Sequence, residues 1–332
     1  LGLKDINELF VHHGIDATRK AVMSAIPVPE VGLSRLADYK EVEFQEGCIL
    51  GFEEIDKATG GNPNGLFTVI SGDNNAGKTT LLLNLAATFI SEGEKCFYWS
   101  GEQKPDRVRW WYEQIVAGRK NISSRISSRT GREYWFANPS IVPTIREWYR
   151  DKLFVYDKRG IDSAQFFEVA ELAVRRHQVT KIFIDNLMAF TGGEEEYYAA
   201  QGDFAESCKN FAEDWDVHVI LIAHNKKPYK VKDEQSARLP DKDDIEGSKK
   251  ITNWADFVFQ LIRITEANRK ESWGAAKSIL SLCKNRETET LVDVRLDFDP
   301  SSKRLVQLTH SENIDKLLGW EKEKKQEMEL NF

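Results

Sequence analysis

The chain has 332 residues, 41% hydrophobic and 30% charged, enough to bury one large core plus appendages in one or about two domains. Its formal net charge of −7 argues against an all-over basic nucleic-acid-binding surface, but not against a local basic channel, because the local field decides such binding. No apolar run approaches the ~18 residues of a membrane span, no signal peptide is visible, and Cys48, Cys96, Cys208 and Cys283 form no C-x-x-C pair, so a reduced, intracellular protein is expected.

Two short helices are expected first. Asp5 caps the opening one, Ile6, Leu9, Phe10 and His13 share a face, and Gly14 ends it. Asp16 caps the second, which runs to the break at Pro27-Val28-Pro29, and a mixed linker follows to residue 47. Because the chain starts at Leu1 rather than Met, it is expected to be a piece of something longer. The core then runs from about residue 48 to 310, and residues 311–332, rich in Glu and Lys, are expected to form an exposed charged tail.

Within the core, Leu66-Phe67-Thr68-Val69-Ile70 is an apolar, β-branched run of strand length, and Leu81-Leu82-Leu83-Asn84-Leu85-Ala86-Ala87 is a strong helix former. Between them stands Gly72-Asp73-Asn74-Asn75-Ala76-Gly77-Lys78-Thr79-Thr80, which matches G-x-x-x-x-G-K-[ST], the phosphate-binding loop. Glycines let successive backbone N–H groups converge on phosphate oxygens at a helix N-terminus. Lys78 can reach the β- and γ-phosphates, and the Thr79 hydroxyl can coordinate Mg²⁺. The strand–loop–helix context points to a bound nucleoside triphosphate, ATP or another NTP or dNTP, with Mg²⁺.

Further strands are expected over 95–100, 153–157, 181–185 and 218–223, separated mostly by helical patterns, the signature of a mainly parallel sheet with helices on both faces. Strand C-termini in such a sheet line the ligand crevice. Asp185, closing Lys181-Ile182-Phe183-Ile184-Asp185, is therefore placed beside Thr79 as the metal-holding carboxylate, and Glu102, just after Cys96-Phe97-Tyr98-Trp99-Ser100-Gly101, as the group that orients and deprotonates the attacking water. His224, after the strand 218–223, either senses the γ-phosphate or is structural. Residues 225–232 carry Lys226, Lys227, Lys230 and Lys232 and no acid, which suits phosphate-backbone contacts or simply a solvated loop. The later apolar runs 257–264, 278–284, 291–298 and 304–308 read as hairpin-connected strands extending the sheet.

With these motifs in order, residues of about 50–308 resemble the hexameric replicative DNA helicases with a RecA-like core, as in phage primase–helicases and the Twinkle-like helicases of mitochondria. The resemblance is carried by the lead-in Gly51-Phe52-Glu53-Glu54-Ile55-Asp56-Lys57-Ala58-Thr59-Gly60-Gly61, the phosphate loop, Glu102, and Ile184-Asp185-Asn186-Leu187. It continues through Ala223-His224, Glu246-Gly247-Ser248-Lys249-Lys250 with Ala255-Asp256, and Leu282-Cys283-Lys284-Asn285-Arg286. It implies a RecA-like P-loop fold, a six-membered ring with nucleotide at each subunit interface, and Arg286, with Lys284 beside it, entering a neighbour's site as an arginine finger. Loops 186–203 and 225–249 would grip single-stranded DNA in the channel, although Gly192-Gly193-Glu194-Glu195-Glu196 is acidic and favours the second. The implied activity is NTP-driven translocation on single-stranded DNA with duplex unwinding, with primase and polymerase as replisome partners and a bacterial, phage-infected or mitochondrial setting. A recombination-type or circadian-clock-type ATPase of the same fold, and a helicase loader or non-hydrolysing DNA-binding scaffold, are the alternatives; the set Lys78, Glu102, Asp185 and Arg286 speaks against the last pair. No zinc-binding or complete primase domain is present; Leu3–Phe10 alone resembles the tail of a primase-type domain. The aromatic clusters Trp110-Trp111-Tyr112 and Tyr134-Trp135-Phe136 are expected to serve packing rather than base stacking.

Overall fold

The computed structural model describes residues 6–24, 35–38, 46–187, 194–226, 240–246, 249–266, 268–308 and 320, and for 194–199 the backbone only. The chain divides into two units, 1–44 and 45–332. In the first, α1 (Ile6–Met23) is interrupted at Gly14, whose φ of 77° is non-helical, so two helical stretches meet at the glycine. No residue of α1 is buried.

The second unit is built on a nine-stranded sheet. In chain order its elements are α2 (Glu53–Thr59), β1 (Phe67–Ser71), α3 (Lys78–Ser91), β2 (Cys96–Ser100), α4 (Pro105–Ala117), β3 (Ile122–Ile126), β4 (Glu133–Ala137), α5 (Val142–Tyr149), β5 (Leu153–Tyr156), α6 (Ser163–His177), β6 (Lys181–Asp185), α7 (Glu194–Trp215), β7 (His218–Ile222), α8 (Lys249–Trp254), β8 (Phe257–Arg263), β9 (Ser278–Asn285), β10 (Asp293–Phe298) and β11 (Leu305–Gln307). The sheet order is β11-β10-β9-β8-β1-β7-β6-β2-β5. From β8 to β5 every pairing is parallel, and β9, β10 and β11 are added antiparallel. β3 and β4 form a separate antiparallel pair outside the large sheet, an element the sequence reading lacks.

Alternation along each strand feeds two cores. Ile70, Tyr98 and Phe183 face a cluster built with Leu82, Leu85 and Phe89 of α3 and Tyr112 and Ile115 of α4. Phe67, Val69, Trp99, Ile182 and Ile184 face Phe166 of α6 and Phe204, Ala205 and Cys208 of α7. Both sheet faces are covered, which is why the central strands read as unbroken apolar runs instead of alternating ones. Among the described residues no helix is long and apolar enough to cross a membrane. The expected exposed tail meets one correction: Trp320 is buried in the first cluster and its indole N–H donates to Val116 O at 2.9 Å, since an indole in a core needs an acceptor.

The strand-start edge is held by buried polar contacts. Asp256 accepts from Phe67 N at 2.8 Å and pairs with Lys209 at 2.7 Å. His218 lies with Nδ1 2.6 Å from Pro63 O and Nε2 2.7 Å from the Thr68 hydroxyl, so Nδ1 carries the proton and Nε2 accepts. Burial, then the nearby Lys181 ammonium, pushes its pKa down to about 3 from 6.5. The unfolded chain thus binds one more proton than the folded one between those values, so this histidine's contribution falls away as the pH drops through that window, by up to about 5 kcal/mol. Denaturant midpoints followed from pH 6.5 to 3 should fall less steeply in His218→Gln; parallel slopes would refute the assignment.

Candidate active site

The phosphate loop leaves the C-terminal end of β1 at the centre of the parallel strands, flanked by β7 and β8. A Cβ at Gly72 would stand 2.4 Å from Leu261 O, so only glycine fits where the loop passes β8. Gly77, at φ 102°, makes the left-handed turn that starts α3. Lys78 is buried, and its ammonium donates to Gly72 O at 2.8 Å and Asp73 O at 3.0 Å, so the charge sits inside the curl of the loop. Burial lowers its pKa, while the Asp185, Glu102 and Asp73 carboxylates oppose that shift. Asn74, Asn75, Thr79 and Thr80 line the same crevice of about 480 Å³, and Ala76 is buried beneath it.

The sheet order brings the distant strand ends to this loop. Asp185 Oδ2 accepts from the Thr79 hydroxyl at 3.0 Å, the Tyr98 hydroxyl at 3.0 Å and the Ser100 hydroxyl at 3.3 Å. Burial pushes the Asp185 pKa up, and the Tyr98 and Thr79 hydrogen bonds pull against it. A hydroxyl and a carboxylate paired beside a phosphate loop suit Mg²⁺, which Thr79 and Asp185 would hold. Bound there, the ion would neutralise β- and γ-phosphate charge.

Glu102 stands across the crevice with its side chain half exposed. Asn186 joins it to His224: the Asn186 amide donates to Glu102 Oε1 and lies 2.9 Å from His224 Nε2. Burial and the Lys78 charge lower the His224 pKa, so the ring is neutral at neutral pH, and among the described residues its buried Nδ1 finds no hydrogen-bond partner. Such an orphan beside a polar crevice is costly unless a ligand satisfies it. Next door, Asn225 accepts from the Ser71 hydroxyl at 2.7 Å and donates to Asp73 at 3.2 Å, while Glu246 N donates to His224 O at 2.7 Å. Phosphate loop, Glu102, His224 and both roots of the 226–246 segment therefore form one hydrogen-bonded unit.

Three of these participants are not apparent from the sequence. Tyr98 reads as a strand residue, Asn186 as a bystander of Asp185, and Trp111 as packing. Trp111 does pack against the first core cluster, and it also forms an aromatic wall of the crevice, with the Arg107 guanidinium 5.3 Å and the Lys303 ammonium 5.5 Å from its ring centroid. Its neighbour Tyr112 is buried in the core, as expected for packing.

The remaining sequence candidates lie elsewhere. Lys226 N donates to Asp244 O at 2.8 Å and its ammonium to Asp243 O at 3.2 Å, anchoring the base of the lysine segment; Lys227, Lys230 and Lys232 fall outside the described residues, as do Gly247, Ser248 and most of 186–193. Lys284 donates to Thr252 O at 2.7 Å and Ala255 O at 2.7 Å, capping the C-terminal end of α8, so its ammonium is used within the chain. Arg286 donates to Asn253 O and lies 3.6 Å from Asp256 Oδ1, with its side chain 45% exposed. Asn285 pairs with Phe257, and Phe257 with Thr68, so Arg286 sits at the strand-start edge. The phosphate loop is at the opposite edge, roughly 16 Å away along β1 at about 3.3 Å per residue. Arg286 does not approach its own chain's phosphate loop.

Comparison with known proteins agrees with this architecture. The model of the DnaB-like helicase C-terminal domain matches residues 47–307. The replicative DNA helicase DnaB of Helicobacter pylori is 21% identical over 220 residues, 65% of this chain and 44% of that protein. The DNA repair protein RadA of Mycobacterium tuberculosis is 28% identical over 118 residues, 34% of this chain and 23% of that protein. The chain thus spans less than half the length of these curated relatives. Among solved structures, one ATPase domain superposes with a TM-score of 0.64 at 17% identity, over 79% of this chain and 92% of that one. A DnaB-like replicative helicase described with its primase interactions gives 0.65 at 19%, over 79% and 62%. The fold is that of a RecA-like P-loop ATPase, and the chain belongs to the DnaB-like helicase C-terminal domain family.

Proposed function

We propose that this chain is the motor of an ATP-dependent replicative DNA helicase, hydrolysing nucleotide at subunit interfaces to translocate on single-stranded DNA and open the duplex ahead. The observation that carries the reading is the hydrogen-bonded relay Glu102–Asn186–His224 and its continuation into Glu246 and Asn225. A change of γ-phosphate state felt at Glu102 or His224 reaches the roots of the segment that bears Lys226, Lys227, Lys230 and Lys232, which would hold DNA phosphates. Lys78, Thr79 and Asp185 would hold the triphosphate with Mg²⁺, and the base would lie against Trp111. The position of Arg286 at the far edge supports action on a neighbour's nucleotide, hence a homo-oligomeric ring, with primase and polymerase as further partners. Four free cysteines suit a reducing, intracellular compartment.

The decisive experiment measures ATP turnover with and without single-stranded DNA, and strand separation on a forked duplex. Stimulation together with fork opening is expected. Stimulation without opening would favour the second reading, a RadA-like DNA-repair ATPase, which the RadA matches support. Glu102→Gln should bind nucleotide nearly as wild type yet hydrolyse it about 10²–10⁴-fold more slowly, because the amide keeps shape but cannot accept a proton. Equal loss of binding and turnover would make Glu102 structural. Trp111→Ala should weaken nucleotide binding by about 1–3 kcal/mol if a base stacks there, and Trp111→Phe should recover most of it. Unaltered affinity in the alanine variant would remove the base from that wall.

A further inference from the structure

The β3–β4 hairpin takes no part in the relay or the crevice, and its chemistry is unlike the rest of the chain. Residues 119–137 hold Arg119, Lys120, Arg125, Arg129 and Arg132 against one acid, Glu133, in a chain of net charge −7. Arg119 is paired with Asp299 at 3.3 Å. Among the described residues Arg125, Arg129 and Arg132 form no ion pair, and all three are exposed.

The pairing register sorts these residues onto one face. Arg125 is directly opposite Tyr134, and Ser123 opposite Phe136, whereas Ser124 opposite Trp135 and Ile122 opposite Ala137 lie on the other side. That second side is turned to α4, where the Gln114 amide donates to Trp135 O and Ala137 is buried. On the first side Tyr134 is 42% exposed, with the Arg132 guanidinium 5.3 Å from its ring centroid and Arg125 as its cross-strand neighbour. The turn between the strands adds Arg129. An open aromatic ring set between guanidinium groups is what a flexible polyanion with π-faced substituents requires: charge for each phosphate, a platform for a base.

We propose that this hairpin face is a second binding site for single-stranded nucleic acid, with Arg125, Arg129 and Arg132 on phosphates and a base stacked on Tyr134. The site is separate from the roots of the 226–246 segment. The hairpin joins the C-terminal half of α4, whereas that segment leaves the strand-end edge, where α4 begins. α4, at 13 residues, sets the hairpin about 20 Å from the strand-end edge, where the described roots of that segment, Lys226 and Glu246, lie. The proposal rests on the reading that the chain acts on DNA, and extends it by adding a second contact surface at the hairpin.

The test uses the full chain and a fluorescent oligothymidylate, with affinity measured at several salt concentrations. Replacing Arg125, Arg129 and Arg132 together by Ala should lower the salt slope by about two, at roughly 0.7 per lost single-strand phosphate contact. Tyr134→Ala should weaken binding about tenfold and Tyr134→Phe should restore it. Independently of any variant, an oligonucleotide carrying iodouracil should crosslink on irradiation within the tryptic peptide 133–146 of the wild-type chain. Unchanged affinity and slope in the triple variant, or crosslinks confined to other peptides, would overturn the site and leave the hairpin to an acidic protein surface. A wild-type chain that bound no oligonucleotide at any salt would overturn the DNA reading itself, and this site with it.

Discussion

Replacing Lys78 by Ala is expected to lower ATP turnover by at least about 10²–10³-fold, the range found when one pre-placed charge-stabilising donor is deleted elsewhere. The ammonium is already aimed: it is buried within the loop, gripped by the Gly72 and Asp73 carbonyls, and faced by the Asp185 and Glu102 carboxylates. A bound triphosphate would complete its coordination without reorganisation, so the stabilisation would be in place when charge develops on the transferring phosphoryl group. Steady-state turnover and nucleotide affinity, measured beside a thermal melt, separate this from misfolding. Lys78→Ala that melts as wild type yet turns over near normally would sink the phosphate-loop assignment.

Arg286→Ala is expected to act on a neighbour's nucleotide, with a loss of roughly 10³–10⁵ in turnover if the group behaves as fingers do elsewhere. Its placement at the strand-start edge, far from its own loop, makes an effect in cis hard to build. The same side chain also ties Asp256 and Asn253 to the end of β9, so Arg286→Lys serves as the charge-retaining control for a local packing effect. Mixing an Arg286→Ala chain with a Lys78→Ala chain should restore activity above either parent, because some interfaces then pair an intact loop with an intact arginine. Proven subunit exchange with no recovery would mean that Arg286 acts within its own subunit or not at all.

What was legible beforehand was local. The phosphate-loop pattern is nine contiguous residues whose expected function resides in backbone amides and the side chains of Lys78 and Thr79, so spacing alone specifies it. Strands buried on both faces announce themselves as apolar runs, and a carboxylate closing such a run is placed at the ligand edge by the rule for parallel sheets. The rule puts Asp185 and Glu102 at that edge, and in the structure both line the crevice. The β3 strand was not legible: Ile122-Ser123-Ser124-Arg125-Ile126 has no apolar alternation that would distinguish it from a loop, and it becomes a strand by pairing with Glu133–Ala137.

Which groups are available for the chemistry, and at which strand end each stands, can be read from local residue order. Their contacts come from strand order and packing, which join distant parts of the chain. Asn186 bridges Glu102 and His224 because β7 and β2 both pair with β6, an order no local pattern encodes. Tyr98 reaches Asp185 because β2 pairs with β6 in a register that sets Ser100 opposite Asp185. Trp111 faces the crevice while Tyr112 enters the core because one residue of helix rotation separates two surfaces, and packing chooses between them. Lys284 and Arg286, read together as a catalytic pair, part company in the fold: the lysine caps α8 and the arginine remains half exposed. Side chains two apart on a strand begin on the same face, but their ends go where long-range partners offer acceptors, and those partners come from other parts of the chain.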